Sequence, residues 1–410
     1  MGEPMTINGW IRMSPWTLGA LAAAAMALLT TNLLLADSWM DGNMIAAWVV
    51  AQWLPRNSIN EDLHAQAWAY WEDKYGARRA LTQQPPQDLP LAIPEVNVQE
   101  HKDDLLHHLE ATLGHDWRRR PLKLVNLWSA DELANPARRL SVPGLLQENL
   151  TIPYFTDARR PNALSPDAQA PISAIVANIT TRGSPHKIGS QFLLQHDPEL
   201  IREIAPTQLL TSLFGDYFQP HHVKGFGPGG ILPPFTTVPL FVASGSSIQQ
   251  QQQSQQQQPQ QTGSSEEGRS GKPFTALHCE PIGNVAVQLS GVKQWTLVDP
   301  LFSFLLRPST APDGRAFFAS YKDLHDQRTT TTTTMVPYYQ GVTSAGDAMW
   351  VPTWTWHRVD YMDSDLSNTD IAIGGSLFHF RPVDYFANNP LFAVLMIPAI
   401  LQEILGLKTQ

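Results

Sequence analysis

The sequence predicts a mainly β core with flanking α-helices and an N-terminal transmembrane helix. Three observations predict it. The segment from Phe274 to Phe380 is built of short apolar runs rich in Val, Trp, Leu and Ile, separated by Gly, Pro and Asp turns, which is the signature of strands. Upstream, apolar residues recur at helical spacing, for instance over Val98–Leu113. And Met13 to Ala36 contains no charged residue, enough apolar chain to span a bilayer as a helix.

Taken in order, residues 1–12 form a short cytosolic tail and 13–36 a signal-anchor. Arg12 precedes the apolar segment, and Asp37 and Asp41 follow it, so the basic-side rule places everything downstream across the membrane. This predicts a single-pass protein with its main domain in the lumen of the endoplasmic reticulum, Golgi or another secretory compartment. A cleaved signal peptide is the rival, but Leu34 is large where a small residue is preferred before a cut. Residues 37–120 read as a helical membrane-proximal region and linker, with Pro85-Pro86 and Pro90 to Pro94 as breaks. His107 and His108 are adjacent on its last helix, so they point to different sides and read as a solvated face.

The main domain is expected over 121–390. Leu122–Leu127 reads as a strand, and Asp131–Leu140 as a helix with Arg138 and Arg139 near its end. Arg182–Gln191 reads as a polar loop. Asp197-Pro198 makes a good helix start, and Thr207–Phe214 continues helical. Thr237–Ala243 is a strand. Residues 244–272, dominated by Gln, Ser and Gly, cannot bury enough apolar surface to offset their ordering entropy and read as a disordered insertion. Ala311–Tyr321 and Thr329–Thr334 form a second insertion. Residues 391–410 hold a short apolar helix that either docks on the core or pairs two copies of the chain.

Composition narrows the function. A net charge of −9 argues against nucleic acid as a partner. A single cysteine rules out an intrachain disulfide and a cysteine-based zinc site.

The chemistry concentrates in residues 273–300. Val285, Val287 and Leu289 alternate with Asn284, Ala286 and Gln288, the period of a half-buried strand. A tight turn at Ser290–Gly291 then leads into Val292–Val298, an antiparallel return strand. His278 and Glu280 sit two apart, so on a strand both side chains face the same way. One imidazole and one carboxylate on a common face make two thirds of a facial metal site, the arrangement that suits non-heme Fe(II). The missing ligand should be a second histidine from a distant strand. His357 is the candidate, at the end of a Trp-rich run behind a Gly346-Asp347 turn and a strand at Met349–Val351.

In order, these residues read Thr-x-x-His-x-Glu, Asn, Gly-x-Lys-x-Trp and Gly-Asp-x-x-x-x-Pro-x-x-x-x-His. That pattern resembles the JmjC and cupin-like oxygenases that depend on Fe(II) and 2-oxoglutarate, firmly over about residues 230–300 and 335–382. The resemblance implies a double-stranded β-helix of the jelly-roll type. It implies that His278, Glu280 and His357 hold Fe(II), with Glu as the carboxylate as in some members. It further implies that Thr275 and Lys293 hold 2-oxoglutarate, with Asn284 near the cosubstrate. A buried lysine is a suitable point charge for the far carboxylate of that acid. The activity implied is hydroxylation of a protein or peptide substrate. The alternative is a catalytically inactive cupin-like module that binds metal or ligand on a membrane anchor. Cys279, between the ligands, should face the other way and serve as a packing residue.

Overall fold

A computed structural model describes residues 89–115, 117–159, 166–181, 184–214, 236–245, 273–306, 308–310, 318–320, 336–362, 371–380, 382–389, 392–393 and 396–397. The expected anchor, the helices of 37–83, most of the Gln-rich insertion, the threonine run and most of the C-terminal helix lie outside the described residues. Among the described residues, no helix is long and apolar enough to cross a membrane.

The architecture is mainly β, in a seven-stranded and a ten-stranded sheet. Eight strands carry the site: β1 (Leu240–Ser244), β2 (Phe274–Cys279), β3 (Gly283–Ser290), β4 (Val292–Val298), β5 (Tyr339–Thr343), β6 (Ala348–Val351), β7 (Trp356–Met362) and β8 (Ile371–His379). In the seven-stranded sheet the order is β5-β4-β7-β2, and in the ten-stranded sheet it is β6-β3-β8-β1. Except between β4 and β5, the chain passes from one sheet to the other at every step. The two sheets share no strand, so the structure is a sandwich of two sheets rather than one closed ring of strands.

This corrects the reading of β3 and β4 as partners. β3 pairs with β6 and β8, whereas β4 pairs with β5 and β7. The turn between them, with Gly291 at φ 71°, carries the chain across the sandwich. A Cβ at Gly291 would sit 2.7 Å from the backbone of Ala372, so a side chain is excluded there on two counts. Nor is β3 half-buried: every residue from Gly283 to Leu289 is buried. Its apolar positions Val285, Val287 and Leu289 join the largest core cluster. Its other face looks into the sandwich, where Ala286 meets Trp295, Leu297, Met349, Val351 and Val359.

Helices α1 (Leu105–Leu113), α2 (Ile172–Ile179) and α3 (Thr207–Phe214), with the short turns between them, contribute to the same large cluster as the ten-stranded sheet. Leu109, Ile175, Val176, Ile179, Ile204, Leu210 and Leu213 are buried there with Val287, Ile373 and Leu377. α1 starts at Leu105, later than its apolar pattern suggested, because Val98 instead donates its N–H to Val125 in the sheet region. His107 is exposed, and the rings of His101 and His108 stack 3.6 Å apart. The helix expected over Asp131–Leu140 is a single turn, Ala130–Leu133. Pro136 follows closely and cannot continue it. Arg138 and Arg139 lie beyond the turn and bond Glu203's carbonyl and the Glu148 and Asp197 carboxylates respectively. The short strand Phe318–Ser320, inside a region read as an insertion, pairs with β2.

Described parts of the C-terminal segment dock on the sandwich. Phe392, Ala393 and Met396 are buried, and Phe392 stacks on Phe318 with ring centroids 4.0 Å apart.

Candidate metal centre and cosubstrate pocket

Each candidate metal ligand is placed by strand pairing. His278 on β2 and His357 on β7 are opposite partners in the ladder. Their ring centroids are 4.1 Å apart. Glu280 lies one residue past the end of β2, with Oε1 3.8 Å from His278 Nε2. One ligand atom from each of His278, Glu280 and His357 lies within 4.8 Å of the other two. This is the one such group of three among the described residues.

The imidazoles are in the tautomer that a metal needs. His278 Nδ1 lies 2.7 Å from the carbonyl of Ala276, and His357 Nδ1 lies 3.0 Å from that of Thr355. A carbonyl only accepts, so Nδ1 carries the proton and Nε2 keeps its lone pair; such partners orient ligating histidines. Burial holds the His357 imidazole down to about 4, against a smaller opposing effect of the Thr355 carbonyl, so the ring is neutral at physiological pH. Two neutral imidazole nitrogens and one carboxylate are a donor set that fits Fe(II).

Glu280 is fixed from its own backbone. Its carbonyl accepts the N–H of Trp354 at 2.9 Å. Trp354 has φ 65°, a conformation rarely adopted by a bulky residue, and its indole donates to the carbonyl of Tyr385 at 2.8 Å. The Trp-rich run is thus a wall, with Trp354 and Trp356 fully buried and Phe392 against both. Cys279 is fully buried between the ligands and pairs across to Phe318. Burial pushes its thiol well up, as suits a packing residue.

Thr275 belongs to the same wall through an irregularity. It stands three positions before His278, an odd offset that in a regular strand puts the two on opposite faces. The ladder slips between them: His357 pairs with His278 and Val359 with Thr275, so three steps on β2 match two on β7. This is a β-bulge, which re-aims a side chain. The Thr275 hydroxyl hydrogen-bonds Tyr361 of β7.

Lys293, on β4 opposite Tyr361, is 4% exposed. It has no ion-pair partner among the described residues. Its ammonium lies 5.6 Å from the Phe241 ring and 5.4 Å from the Tyr361 ring. Burial first, and the charge of Lys187 second, lower its pKa to about 7. A Cβ on Gly374 would lie 2.8 Å from the Lys293 nitrogen, so the absence of a side chain there leaves room for the ammonium. Asn284 is buried, and its Oδ1 has no hydrogen-bond partner among the described residues. A buried cation and an unsatisfied amide are features that fit a polar, anionic ligand.

Lys187 was missed by the sequence reading. Lys187–Ser190 is a strand paired with β1, rather than part of a polar loop. Lys187 is 2% exposed and donates to Thr275 Oγ1 at 3.3 Å. Its neighbours Arg182, Ser184, Pro185 and His186 gave the stretch a loop-like composition, which hid an inward lysine. His379, in contrast, is buried against the Trp350 ring at 5.3 Å.

Residues 246–373 match the family model of the Cupin-like domain. The matched stretch contains His278, Glu280, His357, Thr275, Asn284 and Lys293, and ends within β8. No curated protein matches the chain.

Proposed function

We propose that the protein is an Fe(II)- and 2-oxoglutarate-dependent dioxygenase that hydroxylates a protein or peptide substrate. The match to the Cupin-like domain over 246–373 is the premise. The observation that carries the reading is the convergence of His278, Glu280 and His357 to within 4.8 Å. The eight-strand wrap described above is then a double-stranded β-helix, with the site between its two sheets.

Iron bound by these three side chains would supply oxygen activation, coupled to decarboxylation of 2-oxoglutarate to succinate and CO2. The protein's own groups do the rest. The Ala276 and Thr355 carbonyls hold both imidazoles with Nε2 toward the ion. Lys293 neutralises the far carboxylate of the cosubstrate, and Thr275 donates or accepts beside it; such charge-assisted bonds are the strong ones. Trp354, Trp356 and Trp295 keep bulk water from the wall behind the ligands, which raises the effect of each charge. Asn284 offers a further polar contact from the opposite sheet.

The apolar segment 13–36 would anchor the protein and place this domain in a secretory lumen, and the C-terminal segment remains a candidate contact between two copies. Both parts of the proposal rest on sequence pattern alone.

Succinate release from 2-oxoglutarate by the purified protein, with Fe(II) and ascorbate, tests the assignment. The expected outcome is slow turnover that is abolished in His278→Ala. Failure of the wild-type protein to bind Fe(II) in an anaerobic titration would sink it.

A further inference from the structure

We infer that Lys187 is a second cosubstrate-binding residue, whose ammonium acts with that of Lys293 on the far carboxylate of a dicarboxylic 2-oxo acid. The inference rests on the dioxygenase reading and deepens it.

The two lysines come from opposite sheets. Lys293 stands on β4 of the seven-stranded sheet, and Lys187 on the strand beside β1 in the ten-stranded sheet. Both are sequestered, at 4% and 2% exposure. They are close enough that the charge of Lys187 acts on Lys293, and Thr275 links them to one spot. Its hydroxyl accepts from Lys187 and hydrogen-bonds Tyr361, the ladder partner of Lys293.

Two like charges at one buried spot repel each other, and the positive potential they raise together favours an anion there. Aromatic faces temper the cost: Phe155 lies under Lys187 at 4.4 Å, and Phe241 and Tyr361 lie near Lys293. Cation–π contacts of this kind hold an ammonium in place without consuming its charge. A carboxylate has two oxygens and about four acceptor sites, so it can take both ammoniums and the Thr275 hydroxyl together. Lys187 lies outside the stretch that matches the Cupin-like domain, and strand pairing with β1 alone brings it to this spot.

The test uses the full-length protein loaded with Mn(II), without oxygen, titrated calorimetrically with 2-oxoglutarate and with 2-oxopentanoate, which lacks the far carboxylate. Lys187→Gln should weaken 2-oxoglutarate binding about 10- to 100-fold, the scale of one charge-assisted bond, and change 2-oxopentanoate binding less than about twofold. Lys187→Arg should shift the ratio of the two affinities without abolishing it, and carries the test if Lys187→Gln does not fold. Equal affinities of wild type and Lys187→Gln for 2-oxoglutarate, equal losses for both acids, or an unchanged ratio in Lys187→Arg would overturn the role of Lys187 alone. A wild-type protein that binds neither acid would overturn the dioxygenase reading itself.

Discussion

The two sheets of the sandwich divide the work. The seven-stranded sheet supplies His278, His357, Thr275, Tyr361 and Lys293 from β2, β4 and β7, with Glu280 just beyond β2. The ten-stranded sheet buries Val285, Val287, Leu289, Ile373 and Leu377 against helices on its other face. It gives the site Lys187, Asn284, the Phe241 ring and the space left by Gly374. One sheet therefore presents chemistry on a single face, while the other is apolar on its outer face and, along β3, mixes Asn284 and Gln288 with Ala286 on its inner one, both faces being buried. In such a sheet, alternation of polar and apolar residues marks the site against the core, not water against the core.

This division can be broken at either sheet. The largest effect is expected from His357→Ala, which should lower Fe(II) affinity by more than about 100-fold, beyond the usual loss on removing an indirect partner; unchanged metal content by mass spectrometry would refute the ligand assignment. Next, Lys293→Met should cost about 2–5 kcal/mol of 2-oxoglutarate binding, the scale for one partner of a buried charge pair. It should also alter stability in the ligand-free protein. The folded state holds Lys293 at about 7, below its unfolded value, so the folded protein binds fewer protons between there and about 10.4. Wild-type stability should therefore rise with pH across that window relative to the variant, by at least ~2 °C in Tm, and parallel melting profiles would contradict it.

On the other sheet, Leu377→Ala should remove about 2–5 kcal/mol of stability by leaving a cavity while metal and 2-oxoglutarate affinities hold. A loss of affinity matching the loss of stability would erase the distinction between the sheets. Gly374→Ala sits at the boundary, where a Cβ would also come 2.6 Å from the Val287 carbonyl. It should cost about 1–3 kcal/mol of stability and weaken 2-oxoglutarate binding, both readable by denaturant titration and calorimetry. The smallest effect belongs to Arg358→Gln, which breaks the 2.6 Å pair with Asp360 on the outer face of β7. Below about 1 kcal/mol is expected, with the site untouched; a drop in iron content would show that face to be coupled to the centre.

The convergence of the three candidate ligands was legible because two of them are neighbours in sequence and the third follows a distinctive Trp run. Lys293 was legible through the Gly-x-Lys-x-Trp part of the resemblance. Lys187 was not, because its inward direction is set by pairing with Ala243 on β1, a contact no local pattern encodes. The β3–β4 turn misled for a related reason: Ser290-Gly291 looks the same whether the strands it joins pair or part. Asn284 and Gln288 suggested a wet face, since a sequence cannot distinguish water from a polar cavity. The short turn at Ala130–Leu133 was overextended because the helical composition of its neighbours outweighed Pro136.

The bulge on β2 has a consequence for the whole wall of candidate ligands. The extra residue between Thr275 and His278 acts as a spacer: it brings the hydroxyl proposed to grip the acid and the imidazole proposed to grip the ion onto one side. Deleting one residue at Ala276 or Leu277 would flip one of them outward. Such a chain could keep the metal or the organic acid, but would lose the ability to present them to each other.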